Sequence, residues 1–347
     1  MNWRLHAKRS RASRSNGELE IRQGAPLFAA AGATQQAAVA PHAALGVQPL
    51  QRLGNTPLIR FESLTAGMDR VRILGKAEWL NPGGSVKDRA AFNIIESALR
   101  SGALEGGKRL LDATSGNTGI AYAMIEAARG VPVTLCVPGN VSLERKRILA
   151  AYGAEIIWTD PQEGTDGAIR LARTLAQQHP EKYFYADQYS NDANWLAHYH
   201  GTALEIWSQT RGALTHFVAG LGTSGTFMGT TRRLKELKPS LQAISVQPDS
   251  AFHGLEGLKH MPTALVPRIY DPSVADAALD VSTEAAYSMV KRLARHEGVL
   301  LGISGGAALV AAEKIARQLA ASNQAGVIVT VLPDSGDRYL SENFWVE

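Results

Sequence analysis

The segment Asn81-Pro82-Gly83-Gly84-Ser85-Val86-Lys87-Asp88-Arg89 puts a lysine where an amine can do chemistry. A strand-like run, Val71 to Leu80, leads into it, and an apolar-periodic segment carrying Ala90, Ile94, Ile95, Ala98 and Leu99 follows. The Pro-Gly-Gly turn stops the strand, and Ser85 is a candidate helix N-cap. Lys87 then falls in the first turn of a helix, where the partial positive charge of the helix end lowers an ammonium's pKa. That address suits a lysine that must work as a neutral amine.

Three small-residue loops could hold what such an amine would act on. Gly220-Leu221-Gly222-Thr223-Ser224-Gly225-Thr226, between a strand and a helix, combines unshielded backbone N–H groups with hydroxyls and reads as an anion cradle. Thr114-Ser115-Gly116-Asn117-Thr118-Gly119 is a second strand-to-helix loop, suited to a carboxylate. Ser304-Gly305-Gly306, after Val299–Ile303, places a hydroxyl that could meet a ring nitrogen. Gly220–Gly225 is also a literal G-x-G-x-x-G, so an NAD-dependent Rossmann dehydrogenase is a rival. That rival expects an acid about 20 residues on, at the end of the next strand. Glu236 falls inside a helix and Asp249 just beyond that strand, a poor fit.

The elements that would position these loops alternate regularly. Strands are expected at Val71–Leu80, Arg109–Ala113, Val131–Val137, Glu155–Trp158, Tyr183–Asp187, Thr215–Gly220, Gln242–Gln247 and Gly326–Leu332. Helices are expected at Ser85–Arg100, from the Thr114 loop to about Arg129, Ser142–Tyr152, Thr165–Gln178, Asn191–Gln209, Thr226–Leu237, Thr283–His296 and Gly305–Leu319. Strands without strict alternation, separated by helices, imply parallel sheets buried on both faces. Two such series imply an α/β architecture of two layered units with a cleft between them.

Composition excludes several other classes. Residues 1–23 carry six basic and two acidic side chains, which accounts for the whole net charge of +4, so residues 24–347 are balanced and no nucleic-acid-binding face is expected on the folded part. Residues 1–45 look like a basic, Ala-rich, disordered extension. No uninterrupted apolar run is long enough to span a membrane. Cys136 is the single cysteine, in the apolar run Val133–Val137, which suits a buried structural thiol and a cytoplasmic, reducing location. The histidines lack metal-ligand spacing; His198 and His200 sit two apart on an expected helix and face different ways, so no metal site is expected.

A phosphate cradle, a carboxylate cradle and a first-turn lysine together fit pyridoxal phosphate acting on an amino acid. The chain resembles the cysteine synthase/cystathionine β-synthase family, the fold-type-II pyridoxal-phosphate enzymes, over about residues 48–345. The resemblance is carried by Gly54-Asn55-Thr56-Pro57-Leu58, Asn81–Arg89, Thr114–Gly119, Gly220–Thr226, Gly302–Ala307 and Gly336-Asp337-Arg338-Tyr339-Leu340-Ser341. Gly84–Arg89, Glu205-Ile206-Trp207 and Asp187-Gln188-Tyr189 look most like its cysteine synthase B branch.

The resemblance implies two three-layer α/β domains with mostly parallel sheets, similar to the β subunit of tryptophan synthase. A smaller, mobile, carboxylate-binding domain would span residues 81–191, and a larger phosphate-binding one residues 46–80 and 192–347. It implies that Lys87 carries the cofactor and is the catalytic base, and that Asn117 meets the ring's 3′ oxygen. It further implies that Gly222, Thr223, Ser224, Gly225 and Thr226 hold the phosphate and that Ser304 faces the ring nitrogen. Thr114, Ser115, Gly116, Thr118 and Gln188 would bind the substrate carboxylate. The implied activity is β-replacement on O-acetyl-L-serine by sulfide or thiosulfate, through an aminoacrylate intermediate, in a homodimer whose other partners are small molecules. Cystathionine β-synthase and O-phosphoserine sulfhydrylase stand as alternatives. Phosphoserine-using relatives place an arginine where this chain has Gln247-Pro248-Asp249-Ser250, and thiosulfate users a basic pair where it has Lys259-His260. The third loop departs from the family's Ser-Ser-Gly version at Gly305.

Overall fold

The computed structural model describes residues 47–346; the expected extension, residues 1–45, lies outside them. In chain order the described strands are β1 (Leu58–Arg60), β2 (Val71–Ala77), β3 (Arg109–Ala113), β4 (Val133–Pro138), β5 (Glu155–Thr159), β6 (Tyr183–Tyr185), β7 (His216–Gly220), β8 (Gln242–Pro248), β9 (Ala277–Val281) and β10 (Gly326–Leu332). The helices are α1 (Lys87–Arg100), α2 (Asn117–Arg129), α3 (Leu143–Tyr152), α4 (Gly164–Gln178), α5 (Asp192–Ala197), α6 (Ala203–Thr210), α7 (Gly225–Leu237), α8 (Thr283–His296) and α9 (Ile303–Ala321).

The strands form two sheets. One has six strands in the order β1-β2-β10-β7-β8-β9, and the other four in the order β5-β4-β3-β6. Every pairing is parallel except β1 with β2, where Leu58 faces Lys76. Val329 of β10 sits between Leu74 of β2 and Phe217 of β7, the apolar centre of the larger sheet. One face of that sheet packs on α8 and α9 through Val290, Leu293, Leu309 and Ile328, the other on α6 and α7 through Ile206, Phe217, Phe227 and Val329. The smaller sheet is covered by α1 and α2 through Ile94, Ile95 and Ile120 on one face and by α4 through Ile169 and Ala172 on the other. Each sheet is thus the middle of three layers, and its central strands are buried on both faces, as their unbroken apolar runs require.

The segment before the lysine differs from the sequence expectation in two ways. The run Val71–Leu80 leaves the sheet at Ala77, because Glu78–Leu80 turn into a 3-10 helix that takes Glu78 out of the strand. The residue capping α1 is Val86, and the Ser85 hydroxyl instead accepts from the Lys87 N–H at 3.2 Å. The segment expected as one helix, Asn191–Gln209, is interrupted by a π-helical turn at His198–Thr202.

A buried ion network ties these pieces together. Arg89 of α1 donates from Nε and Nη2 to Glu78 at 2.7 and 2.8 Å, and from Nη1 and Nη2 to Glu205 of α6 at 2.6 and 2.8 Å. Lys76 of β2 reaches Glu205 at 2.6 Å and the Thr56 carbonyl at 2.5 Å, and the Thr56 hydroxyl donates to Glu78 at 2.7 Å. Burial alone would raise the Glu205 carboxyl; hydrogen bonds and charge from Arg89 and Lys76 outweigh it and hold the pKa at about 2. Cys136 sits in β4 with no exposure, and burial, with the charge of Asp112, pushes its thiol up to about 12.

Arg89→Met should destabilise the fold by about 3–5 kcal/mol in urea unfolding, because Glu78 is left buried without its cation. Because the native Glu205 pKa lies below its ordinary 4.5, its stabilisation is present above pH 4.5 and lost as pH falls toward 2. Glu205→Gln should flatten that limb of an acid titration.

Candidate active site

The carboxyl ends of β3, β4, β7 and β10 open onto one cavity of about 590 Å³, a size that holds a cofactor with a small substrate. It gathers nearly all the residues singled out from the sequence. Lys87 lines it, as do Thr114, Ser115, Gly116, Asn117 and Thr118 of the second loop. So do Gln188, Ser304 and, from the first loop, Gly222, Thr223, Ser224 and Thr226. Gly225 lies behind, where a Cβ would strike the Asn194 amide.

Lys87 is the first residue of α1, and the preceding Val86 N–H is held by the Pro333 carbonyl at 2.8 Å. Its ammonium pKa is lowered, with burial as the main cause; the carboxylates of Asp334 and Asp88 oppose the shift without cancelling it. The amine therefore reaches its neutral form more readily than a surface lysine does. Burial does the work that the sequence assigned to the helix end.

The carboxylate loop is shaped by its own side chains. The Thr114 hydroxyl accepts from the N–H groups of Gly116 and Gly119, both at 3.1 Å. The Thr118 hydroxyl donates to Gln188 Oε1 at 2.8 Å, and Gln188 Nε2 donates to the Ala113 carbonyl at 2.7 Å. Beneath them Asp112 is fully buried, accepting from the Tyr122 hydroxyl at 3.0 Å and the Ala113 N–H at 2.9 Å. Burial dominates its titration and lifts the carboxyl to about 7.

Asn117 opens α2 and is gripped from both ends of its amide. Nδ2 donates to Asp334 Oδ2 at 2.6 Å, while Oδ1 accepts from Arg338, whose other nitrogen donates to the Gly83 carbonyl. The Tyr339 hydroxyl donates to the same Asp334 oxygen at 2.6 Å, and Asp334 Oδ1 is buried with no partner among the described residues.

In the glycine loop, Ser224 takes a left-handed backbone, φ 67°, immediately before α7. Its hydroxyl is buried with no hydrogen-bond partner among the described residues. The Gly222 Cα packs on the Gly257 carbonyl, leaving no room for a side chain. Asn194 donates from Nδ2 to Thr223 Oγ1 at 3.0 Å and to the Gln188 carbonyl at 2.7 Å, so one amide spans both loops. His198, on the π-helical turn, approaches Thr226 Oγ1 at 3.3 Å with Nε2 and Thr202 Oγ1 at 2.9 Å with Nδ1. Burial, helped by Arg89 and Lys87, drives its pKa well down, so the ring is neutral. Nothing in the sequence marks Asn194, Asp112 or Asp334 for the site; His198 shows there only a spacing unsuited to metal, and Arg338 only its place in the Gly336–Ser341 motif.

A family described as "Pyridoxal-phosphate dependent enzyme" matches residues 50–334. The chain belongs to that family. It is 52% identical over 294 residues to the cysteine synthase of Aquifex aeolicus, covering 84% of this chain and 90% of that one. Against cysteine synthase B of Pseudomonas aeruginosa the identity is 42% over 293 residues, 84% and 95% of the two chains. O-acetyl serine sulfhydrylase isoform 3 from Entamoeba histolytica superposes with a TM-score of 0.81 at 36% identity, covering 89% of this chain and 94% of that structure.

The cavity of this pyridoxal-phosphate enzyme has the donors its cofactor needs. An unpartnered buried hydroxyl and close-packed glycines at the N-terminus of α7 fit a phosphate. Family membership removes the dinucleotide reading of Gly220–Gly225. No group of three or more His, Cys, Asp or Glu among the described residues is placed to hold a metal.

Asp112 has a native pKa above its ordinary 3.8, so its contribution to stability is full below that pH and is lost as pH rises through about 7. Asp112→Asn should narrow the gap between urea midpoints measured at pH 5 and pH 7.5.

Proposed function

We propose that this protein is a cysteine synthase, replacing the acetoxy group of O-acetyl-L-serine with sulfide, or thiosulfate, by a β-replacement that releases acetate. The observation that carries it is Lys87: a partly buried amine of lowered pKa shares one cavity with an anion loop and a carboxylate loop. The names borne by its relatives point the same way.

Pyridoxal phosphate, when bound, supplies the electron sink that acidifies the α-C–H of an amino acid. The chain's residues supply the rest. Lys87 Nζ would hold the cofactor and, once displaced by substrate, take the α-proton; its lowered pKa leaves the amine free to do so. Gly222 to Thr226 would hold the phosphate, Asn117 the 3′ oxygen and Ser304 the ring nitrogen. A hydroxyl there, in place of an acid, leaves that nitrogen unprotonated and favours elimination over transamination. Ser115, Gly116 and Thr118, with Thr114 and Gln188 shaping the loop, would bind the substrate carboxylate.

In the same assignment residues 81–191 form the smaller unit, closing over the carboxylate and excluding water, and residues 46–80 with 192–347 the larger one. A homodimer and a cytoplasmic site of action belong to it as well. No described helix is long and apolar enough to cross a membrane.

Borohydride treatment should fix a pyridoxyl mass on the peptide containing Lys87, and Lys87→Ala should lose both that mass and cysteine formation while remaining folded. A label on another lysine, or no cysteine from acetylserine plus sulfide, would refute the proposal.

A further inference from the structure

Three cations and three carboxylates line the cavity: Lys87, Arg145 and Lys259 against Glu163, Asp166 and Glu256. Setting Lys87 aside, each of the other cations is already paired. Arg145 of α3, its side chain 6% exposed, is bound to Glu256, and Lys259 Nζ stands 3.1 Å from Asp166 Oδ1 on α4. Glu163 turns outward to Arg170 at 3.1 Å. Burial and the neighbouring His260 lower the pKa of His253, whose Nδ1 accepts from the Leu255 N–H, so that ring adds no charge.

The two pairs share a construction. Each joins a helix packed on the four-stranded sheet to the loop that follows β8 of the six-stranded one. The loop is seated beside the anion cradle, with the Lys259 N–H on the Leu221 carbonyl at 2.8 Å and the Gly257 carbonyl against Gly222. The second Asp166 oxygen accepts from the Leu265 N–H at 3.4 Å, and Arg145 reaches the Ser115 carbonyl at 3.5 Å. Both basic groups that line the cavity besides Lys87 are therefore paired with acids of this chain.

We infer that Asp166 and Glu256 set the charge class of the substrates, holding Lys259 and Arg145 so that the cleft turns away dianions such as thiosulfate and phosphoserine and accepts acetylserine with hydrosulfide. This rests on the proposed cysteine synthase activity and narrows its donor and leaving group. A dianion must either displace a carboxylate from its cation or sit beside it, and both are unfavourable in a partly buried site.

The test is calorimetric titration of the full-length holoenzyme with thiosulfate at low ionic strength and pH 8, where imidazoles are neutral. Asp166→Asn and Glu256→Gln should each bind thiosulfate at least about tenfold tighter than the unaltered protein. Adding Lys259→Met to Asp166→Asn should remove the gain. The ratio of kcat/KM for thiosulfate to that for sulfide should rise in step. Equal thiosulfate affinity in the unaltered protein and both variants would overturn the inference, as would a gain that survives Lys259→Met. Should the unaltered protein make no cysteine from acetylserine and sulfide, the proposed activity fails, while the titrations still decide the role of the two acids.

Discussion

Arg89 is two residues beyond Lys87 on the same helix, and its guanidinium is shared by two carboxylates from distant parts of the chain. Glu78 comes from the 3-10 turn that follows β2 and Glu205 from α6, while Lys76 neutralises the second acid from within the six-stranded sheet. An apolar contact would bury comparable area, but it would not fix the rotation of α1. Four directed charge-assisted bonds do, because a planar fork satisfied on two sides has one orientation. The first turn of α1 inherits that orientation, and so does the direction in which Lys87 leaves the backbone. Removing any one charge leaves the others buried without balance, which is why the cluster behaves as a unit.

A second constraint acts across the cavity. Asp334, at the end of β10, takes Asn117 of α2 and Tyr339 of the C-terminal segment on one oxygen, and Arg338 closes the ring back to Gly83. The turn before the lysine, the start of α2 and the end of β10 are thereby held in one polar cluster. Asn194 does the same between the anion loop and Gln188. The loops that touch the ligands are irregular, but the amides and carboxylates behind them are buried and directed, and this makes the irregular backbone reproducible.

Much of this arrangement is local and could be read from the sequence. Arg109–Ala113, Thr283–His296 and Gly326–Leu332 stand where apolar runs and caps place them, and the Thr114 and Gly220 loops each follow a strand and open a helix, whereas Ser304-Gly305-Gly306, expected as a third loop, lies within the first turn of α9 with no strand before it. What the sequence did not disclose is what depends on distance along the chain. Asp334 lies 217 positions from the Asn117 that it grips, and no periodicity links them. Spacing is all that a sequence displays of His198, and it lacks metal-ligand spacing to His200; its place behind Thr226 depends on the π-helical turn. The strands β1 and β9 were missed for another reason. They are short edge strands, with one neighbour each, and so lack the doubly buried apolar signature of the central ones.

Cys136 gains a different meaning once the reaction is considered. A catalyst that handles hydrosulfide and releases cysteine works among the nucleophiles that exchange with protein thiols. Its single cysteine lies at zero exposure in the middle of the four-stranded sheet, with a thiol that burial keeps protonated up to about pH 12. Thiolate is the reactive form, so neither mixed disulfides nor persulfides have a foothold while the sheet is intact. The fold's one thiol is insulated from the sulfur chemistry of the cavity, and thiol exchange has no cysteine side chain through which to control the enzyme while the sheet is intact.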